Sequence, residues 1–177
     1  MNANSKPGNA LGLKTLVITG VMTALTLVFT AFVNIRLPIA ANGGLVHLGN
    51  VPLFIASILF GKKAGAVSGG IGMALFDILS GWALWAPFTL VTVSAMGYAA
   101  GSIAHKKDKF RYYILAVVSA LVIKITGYYI AEAVIYQNIF VPIASIPGNI
   151  IQVAAAGIIV LAIIVPLKKA SVNILNI

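Results

Sequence analysis

Residues 120–136 read ALVIKITGYYIAEAVIY, an apolar run that holds one lysine, Lys124, and one glutamate, Glu132. With its neighbours the run covers residues 112–134, which is long enough to cross a bilayer, since a spanning helix needs about 20 apolar residues. A lysine at the bilayer centre costs about 2.5–3.5 kcal/mol on insertion scales, so it normally faces a partner, a cavity or water. The stretch therefore predicts a membrane helix with a polar stripe.

The composition of the chain is that of an integral membrane protein. Its 177 residues are 60% hydrophobic and 8% charged, whereas soluble domains are roughly 45–50% apolar and 25% charged. There is no cysteine, which excludes disulfides, thiolate metal sites and cysteine nucleophiles. No polar segment is long enough for a second domain, so we expect one transmembrane domain over 1–177, with residues 1–14 as an N-terminal tail.

Charge-free windows between basic residues, prolines and glycines predict six helices. The first is longer than the roughly 7–15-residue core of a signal peptide and lacks a cleavage-like end, so we expect it to be retained. The expected fold class is all-α integral membrane, a six-helix transmembrane bundle. Its predicted helices cover 15–35, 48–61, 64–80, 87–104, 112–134 and 147–167.

The basic residues indicate the orientation of this bundle. Ten of the twelve fall on one side of the layout, and the positive-inside rule then makes both termini cytoplasmic. Trp82 and Trp85 fall at the outer interface. Because lipid topology accounts for the net charge of +9, we expect no nucleic-acid partner.

Two predicted helices carry small residues at four-residue spacing. Gly61, Gly65 and Gly69 open the third helix, and Gly20 and Ala24 lie in the first. Such spacing lets helices approach closely in lipid. Packing inside the bundle explains both stripes, and the alternative is that the first helix presents its small face to a partner membrane protein.

The polar residues of the outer helix halves form the candidate site. Lys124, Tyr128 and Glu132 recur every four residues and so share one helix face, but Lys124 and Glu132 are about 12 Å apart by helical rise, too far for direct pairing. We expect this stripe to meet other polar and aromatic side chains in an outward-facing pocket, with the loop over 36–50 as a lid. The candidate binding residues are Asn42, His47, Asn50, Asp77, Trp85, Lys124, Tyr128, Glu132, Asn149 and Gln152.

Plainer interpretations exist for the members of this set. Asp77 would pair with Lys124 only to hold the fold, Glu132 would sit in interfacial water, and Asn149 would cap the sixth helix. His47 would be solvated, and the aromatic residues would anchor the bundle at the interface.

Catalytic and nucleotide-binding motifs are absent from the sequence. GKKAG, residues 61–65, lacks the spacing and the hydroxyl of a phosphate-binding loop, and neither H-E-x-x-H nor G-x-S-x-G occurs. We therefore expect no enzyme, no metal site and no cofactor in this chain, and energy for uphill transport must come from elsewhere.

One long stretch resembles a known family. Residues 46–101, VHLGNVPLFIASILFGKKAGAVSGGIGMALFDILSGWALWAPFTLVTVSAMGYAAG, contain an H-L-G-N-x-P start of the second helix, a Phe-Gly turn, a G-G-x-G-x-x-L-x-D third helix and a W-x-P-F-T start of the fourth. This combination resembles the substrate-binding S components of energy-coupling factor (ECF) vitamin transporters.

The resemblance implies a multi-pass protein of a prokaryotic plasma membrane that binds one vitamin or precursor at its outer face. It also implies docking, through Gly20 and Ala24, on a membrane coupling subunit that carries two cytoplasmic ATPases, which bind the ATP. Within the family, the sequence looks similar to members assigned to hydroxymethylpyrimidine or pyridoxine-like rings. Pantothenate would instead use Lys124 as a carboxylate anchor, and riboflavin would need a longer pocket.

Two other functions are compatible with the residues. One is a self-sufficient carrier or channel in which Lys124, Asp77 and Glu132 form a relay. The other is a structural or assembly protein whose glycine stripes bind other helices and which has no ligand.

Overall fold

The computed structural model describes residues 8–36 and 45–175, and these residues form six α-helices and one short β-hairpin. A π-helical turn, Ala56–Phe60, prolongs the second helix, and a 3-10 turn, Val141–Ser145, leads into the sixth. The helices are α1 (Gly8–Phe32), α2 (Asn50–Ile55), α3 (Lys62–Leu79), α4 (Ala86–Ala104), α5 (Phe110–Tyr136) and α6 (Ile146–Leu175).

Four of these helices, α1, α4, α5 and α6, are long and apolar enough to cross a membrane. The other two differ from them in charge or length. α3 has 18 residues, and three of them, Lys62, Lys63 and Asp77, have ionisable side chains. α2 with its π turn is a short apolar helix over Asn50–Phe60. The expected six-helix architecture is thus confirmed, with full-length apolar spans in four of the six helices.

Two predicted boundaries are corrected by the structure. α1 begins at Gly8, so the tail expected over residues 1–14 is partly helical and contributes Lys14 to the first helix. α6 runs through Pro166 to Leu175 rather than ending near 167. Proline removes one backbone hydrogen bond, but spanning helices accommodate it, and the exposed position of Pro166 leaves its ring clear of neighbouring helices.

A β-hairpin that the sequence did not predict joins α1 to α2. Its strands, β1 (Asn34–Arg36) and β2 (Leu45–His47), pair antiparallel with Asn34 opposite His47. The Asn34 side chain donates hydrogen bonds to the carbonyl oxygens of Thr30 at 3.1 Å and Ala31 at 2.6 Å, which ties β1 to the end of α1. Three-residue strands are too short for an alternating pattern to be recognised.

The glycine stripe of α3 serves packing inside the bundle. α3 lies along α4, and a Cβ atom added at Gly97 of α4 would collide with the backbone of Gly65. The buried Ser57 hydroxyl contacts the same place, with oxygen–oxygen distances of 2.8 Å to the Leu53 carbonyl and 3.0 Å to the Gly97 carbonyl. This contact fixes the π turn against α4.

Candidate ligand-binding site

A cavity lies at the end of the bundle that carries the hairpin. The space that the centre of a water molecule can reach inside it is about 80 Å³. Its walls come from β2, α3, α4, α5, α6 and the α3–α4 turn, so it is a product of the whole fold. The lining residues are Leu45, His47, Phe76, Asp77, Trp82, Trp85, Thr89, Lys124, Tyr128, Asn149 and Gln152.

Helical spacing explains how α5 and α6 supply the deep polar wall. Lys124 and Tyr128 are one turn apart on α5, and Asn149 and Gln152 are one turn apart on α6. Lys124 is 2% exposed, and its ammonium nitrogen lies 5.4 Å from the centre of the Tyr128 ring. A cation over an aromatic face is attracted by the ring quadrupole, so Tyr128 helps to hold the buried charge.

The wall contributed by α3 and α4 is acidic. Asp77 lies near the end of α3, close enough to Lys124 and to Thr89 for electrostatic interaction. Thr89, in the first turn of α4, has its hydroxyl 3.1 Å from the Tyr128 hydroxyl. One carboxylate oxygen of Asp77, Oδ2, is buried and has no hydrogen-bond partner in the part of the chain that the structure describes.

Gln152 is a second group with unused hydrogen-bonding capacity. Its side chain is 3% exposed, and its amide nitrogen has no partner among the described residues. Leaving a buried polar atom unpaired costs about 1–3 kcal/mol. Gln152 and Asp77 therefore present one unpaired donor and one unpaired acceptor where a ligand would lie.

His47 forms part of the roof. The backbone N–H of Gly49 donates to its Nδ1 at 3.2 Å, which assigns the ring proton of the neutral form to Nε2. Burial, with a smaller effect from the Lys124 charge, holds the pKa of His47 well below its usual value. The ring packs at 6.4 Å against Phe76, so the roof is an uncharged aromatic pair at neutral pH.

The structure brings most of the expected site residues to this cavity. His47, Asp77, Trp85, Lys124, Tyr128, Asn149 and Gln152 all line it. Asn42 lies outside the described residues. The plainer interpretations of two residues do not hold, because Asp77 and Lys124 form no ion pair within 4.0 Å in the described chain and Asn149 lies inside α6 rather than at its cap.

Two expected site residues, Asn50 and Glu132, are absent from the described lining of the cavity. Glu132 is fully buried rather than in interfacial water, and its carboxylate accepts a hydrogen bond of 2.7 Å from Ser145. Asn50 is also fully buried, at the start of α2. α2, which carries Asn50, packs against α6, and α5, which carries Glu132, packs against the 3-10 turn.

The sequence reasoning missed four lining residues: Leu45, Phe76, Trp82 and Thr89. Trp82 was assigned to the membrane interface. Thr89 lies four residues after Trp85, a spacing that could have placed both on one face, and Phe76 adjoins Asp77. Leu45 carried no signal, because its role depends on the hairpin.

The small residues of α1 face away from the bundle. A Cβ atom added at Gly20 would meet no atom of the described protein within 4 Å, and Ala24, one turn later, is exposed. This arrangement differs from the buried stripe of α3. It leaves an exposed lane of small residues, Gly20 and Ala24, on the outer side of α1.

Comparison with known proteins identifies the family. A family model described as "ECF-type riboflavin transporter, S component" matches residues 10–169. This chain belongs to the S components of ECF transporters. A thiamine precursor transporter, HmpT, from Lactococcus lactis subsp. cremoris (strain MG1363) is 30% identical over 93% of this chain and 92% of its own length.

Two further comparisons agree with the fold of this S component and with the length of chain that the family covers. A Pyrococcus woesei protein described as an uncharacterized protein in the gap 3′ region is 30% identical over 71% of the chain and 83% of its own length. A solved structure, described as the S component of a bacterial ECF transporter, has a TM-score of 0.67 and 18% identity, covering 89% of this chain and 97% of that one. The chain is therefore a multi-pass membrane protein, the substrate-binding part of a transporter, and not an enzyme.

Proposed function

We propose that this S component binds a small, single-ring vitamin precursor, hydroxymethylpyrimidine or a pyridoxine-like compound, and delivers it for ATP-driven uptake. The name of the Lactococcus relative, a thiamine precursor transporter, supports the first of these. The substrate would enter from the outer face of the membrane, beneath the hairpin.

The size of the cavity favours a single ring. Its accessible space of about 80 Å³ is several times the about 10–15 Å³ that a cavity needs to hold one water molecule. We propose that it holds a ring with two or three small substituents. A three-ring isoalloxazine with its side chain is much larger, so riboflavin suits this cavity less well.

The observation that carries the proposal is the pair of unpaired polar atoms in an aromatic cavity. Asp77 Oδ2 and the Gln152 amide nitrogen are both buried without partners in the described structure. The aromatic side chains of Phe76, Trp82 and Tyr128 line the same cavity. Flat ligands are held by such aromatic walls, and a few placed polar groups fix their orientation.

The remaining parts of the transporter follow from the family. We propose that a membrane coupling subunit docks on the exposed lane of α1 at Gly20 and Ala24, and that two cytoplasmic ATPase subunits bind the ATP. This chain then needs no cofactor of its own. The positive-inside rule supports an orientation with both termini on the ATPase side.

Intrinsic fluorescence provides a direct test, because both tryptophans of the chain, Trp82 and Trp85, line the cavity. Purified protein is titrated with 4-amino-5-hydroxymethyl-2-methylpyrimidine, pyridoxine and riboflavin. We expect a saturable one-site change with a single-ring compound. Gln152→Leu should weaken it, whereas Ser119→Ala, on α5 outside the cavity wall, should not.

The proposal is wrong if riboflavin alone produces the saturable change. It is also wrong if no compound does so while near-ultraviolet circular dichroism shows that the protein is folded.

A further inference from the structure

The cavity wall combines one ammonium group with one carboxylate. Lys124 of α5 and Asp77 of α3 both line the cavity, and they are close enough to interact electrostatically. Among the lining residues that the structure describes, no other side chain carries a formal charge at neutral pH, since His47 is neutral there. The wall therefore has a net charge of zero, whether Lys124 and Asp77 are both ionised or both neutral.

The sequence places two further charged residues at this end of the bundle, one acidic and one basic. Glu132, buried on α5 two turns beyond Lys124, is acidic. Residues 37–44 include no charged residue in the sequence. Arg36 of β1 is the one remaining basic residue that the sequence places at this end of the bundle, and it is included in the test below.

We infer that Asp77 is a specificity-determining residue through which the cavity accepts a ligand with a free hydroxyl group and rejects its phosphate monoester. The inference rests on the proposed function, because it concerns the ligand of the same cavity.

The physical reason is the cost of burying charge. A phosphate monoester carries about −1.5 to −2 charges at pH 7, and a buried charge must be paired and hydrogen-bonded to be tolerated. Lys124 supplies one positive charge, and Asp77 cancels it. The small volume acts in the same direction, since the phosphoryl group adds four heavy atoms to the ligand in a cavity of about 80 Å³.

The test compares each alcohol with its own phosphate monoester by tryptophan fluorescence. The pairs are 4-amino-5-hydroxymethyl-2-methylpyrimidine with its monophosphate, and pyridoxine with pyridoxine 5′-phosphate. In the unaltered protein we expect the preferred alcohol to bind at least about 100-fold more tightly than its ester. In Asp77→Asn, which keeps the shape but removes the carboxylate charge, we expect this ratio to fall about tenfold, because an opposing charge has been removed.

Matched variants separate charge from shape. Asn149→Leu changes the shape and polarity of the cavity wall without adding a charge, and it should change the affinities for alcohol and ester by the same factor. Asn149→Lys adds a cation to the opposite wall and should lower the ratio as Asp77→Asn does. It also serves if Asp77→Asn does not fold, as judged by thermal unfolding.

Each outcome decides the matter. Comparable affinity of the unaltered protein for alcohol and ester overturns the inference and leaves the proposed function intact, and Arg36→Gln then shows whether the hairpin supplies the missing charge. The inference is also overturned if the ratio of alcohol to ester affinity is unchanged in both Asp77→Asn and Asn149→Lys. If neither alcohol binds the unaltered protein, the proposed function fails and the inference fails with it.

Discussion

The Ser145 hydroxyl donates a hydrogen bond of 2.7 Å to Oε2 of Glu132, and both residues are buried. Glu132 lies in the last turns of α5, and Ser145 ends the 3-10 turn that leads into α6. The contact therefore fixes how α6 leaves α5, and α6 in turn positions Asn149 and Gln152. A buried carboxyl group here supports the architecture of the site from outside the described cavity wall.

Ser145→Ala should destabilise the protein without a large change in ligand affinity. A hydrogen bond to a carboxyl group contributes about 0.5–3 kcal/mol, depending on its charge, and we expect a loss of that size in the free energy of unfolding, measured in mixed detergent micelles. Ser171→Ala is the matched control, because the Ser171 hydroxyl bonds only to a neutral carbonyl in the described structure. Lost affinity with unchanged stability would instead place the Glu132 region in the binding site.

Lys124→Met should weaken both ligand binding and folding. Removing the ammonium leaves the Asp77 carboxylate uncompensated in the cavity wall, and removing one partner of a buried charge pair is destabilising. We expect a lower unfolding temperature than that of the unaltered protein, together with at least about tenfold weaker ligand binding through the lost charged hydrogen bond. Lys63→Met, at an exposed position, should alter neither. Unchanged affinity in Lys124→Met would contradict a ligand-binding role for this residue.

His47 should make stability depend on pH. Its pKa is well below 6.5 in the folded protein because of burial, whereas the unfolded chain takes up a proton near pH 6.5. The unfolded state therefore binds more protons below that pH, and the free energy of unfolding falls as the pH drops through this range. We expect a lower unfolding temperature at pH 5.5 than at pH 7.5, and a smaller difference in His47→Asn, which keeps an acceptor for the Gly49 N–H. An identical pH difference in both proteins would assign the effect to other groups.

Two glycine substitutions should have opposite consequences. Gly20 faces open space, so Gly20→Leu should leave folding and ligand binding intact while reducing uptake by cells that contain the full transporter. A Cβ atom added at Gly72 would lie 2.7 Å from the Thr26 Cβ of α1, so Gly72→Leu should destabilise the bundle. Binding measurements on purified protein and uptake assays on cells distinguish the two effects. Normal uptake with Gly20→Leu would show that α1 docks elsewhere or not at all.

The sequence predicted the site residues that are charged or polar within otherwise apolar helices. Lys124 and Asp77 stand out because charges within apolar helices are costly, and helical spacing placed Tyr128 and Gln152 beside their partners. The sequence predicted that both Glu132 and Lys124 belong to the site, because they share one helix face. Glu132 instead bonds to Ser145 of the 3-10 turn and is absent from the described cavity wall. The hairpin was missed because its pairing is set by contacts between segments ten residues apart, which a short local pattern does not record. The length of α6 was underestimated because a proline in a spanning helix does not have to end it.

The short second helix has a consequence for the walls of the binding site. Asn50–Phe60 spans about 16 Å at 1.5 Å per residue, about half of a hydrocarbon layer that is about 30 Å thick. β2 lies between the end of α1 and the beginning of this short helix, and it brings Leu45 and His47 into the cavity lining. The peptide groups of its strand are satisfied by pairing with β1. A second helix of full length would occupy the place of β2, so the shortness of α2 is what gives the hairpin a share of the cavity wall.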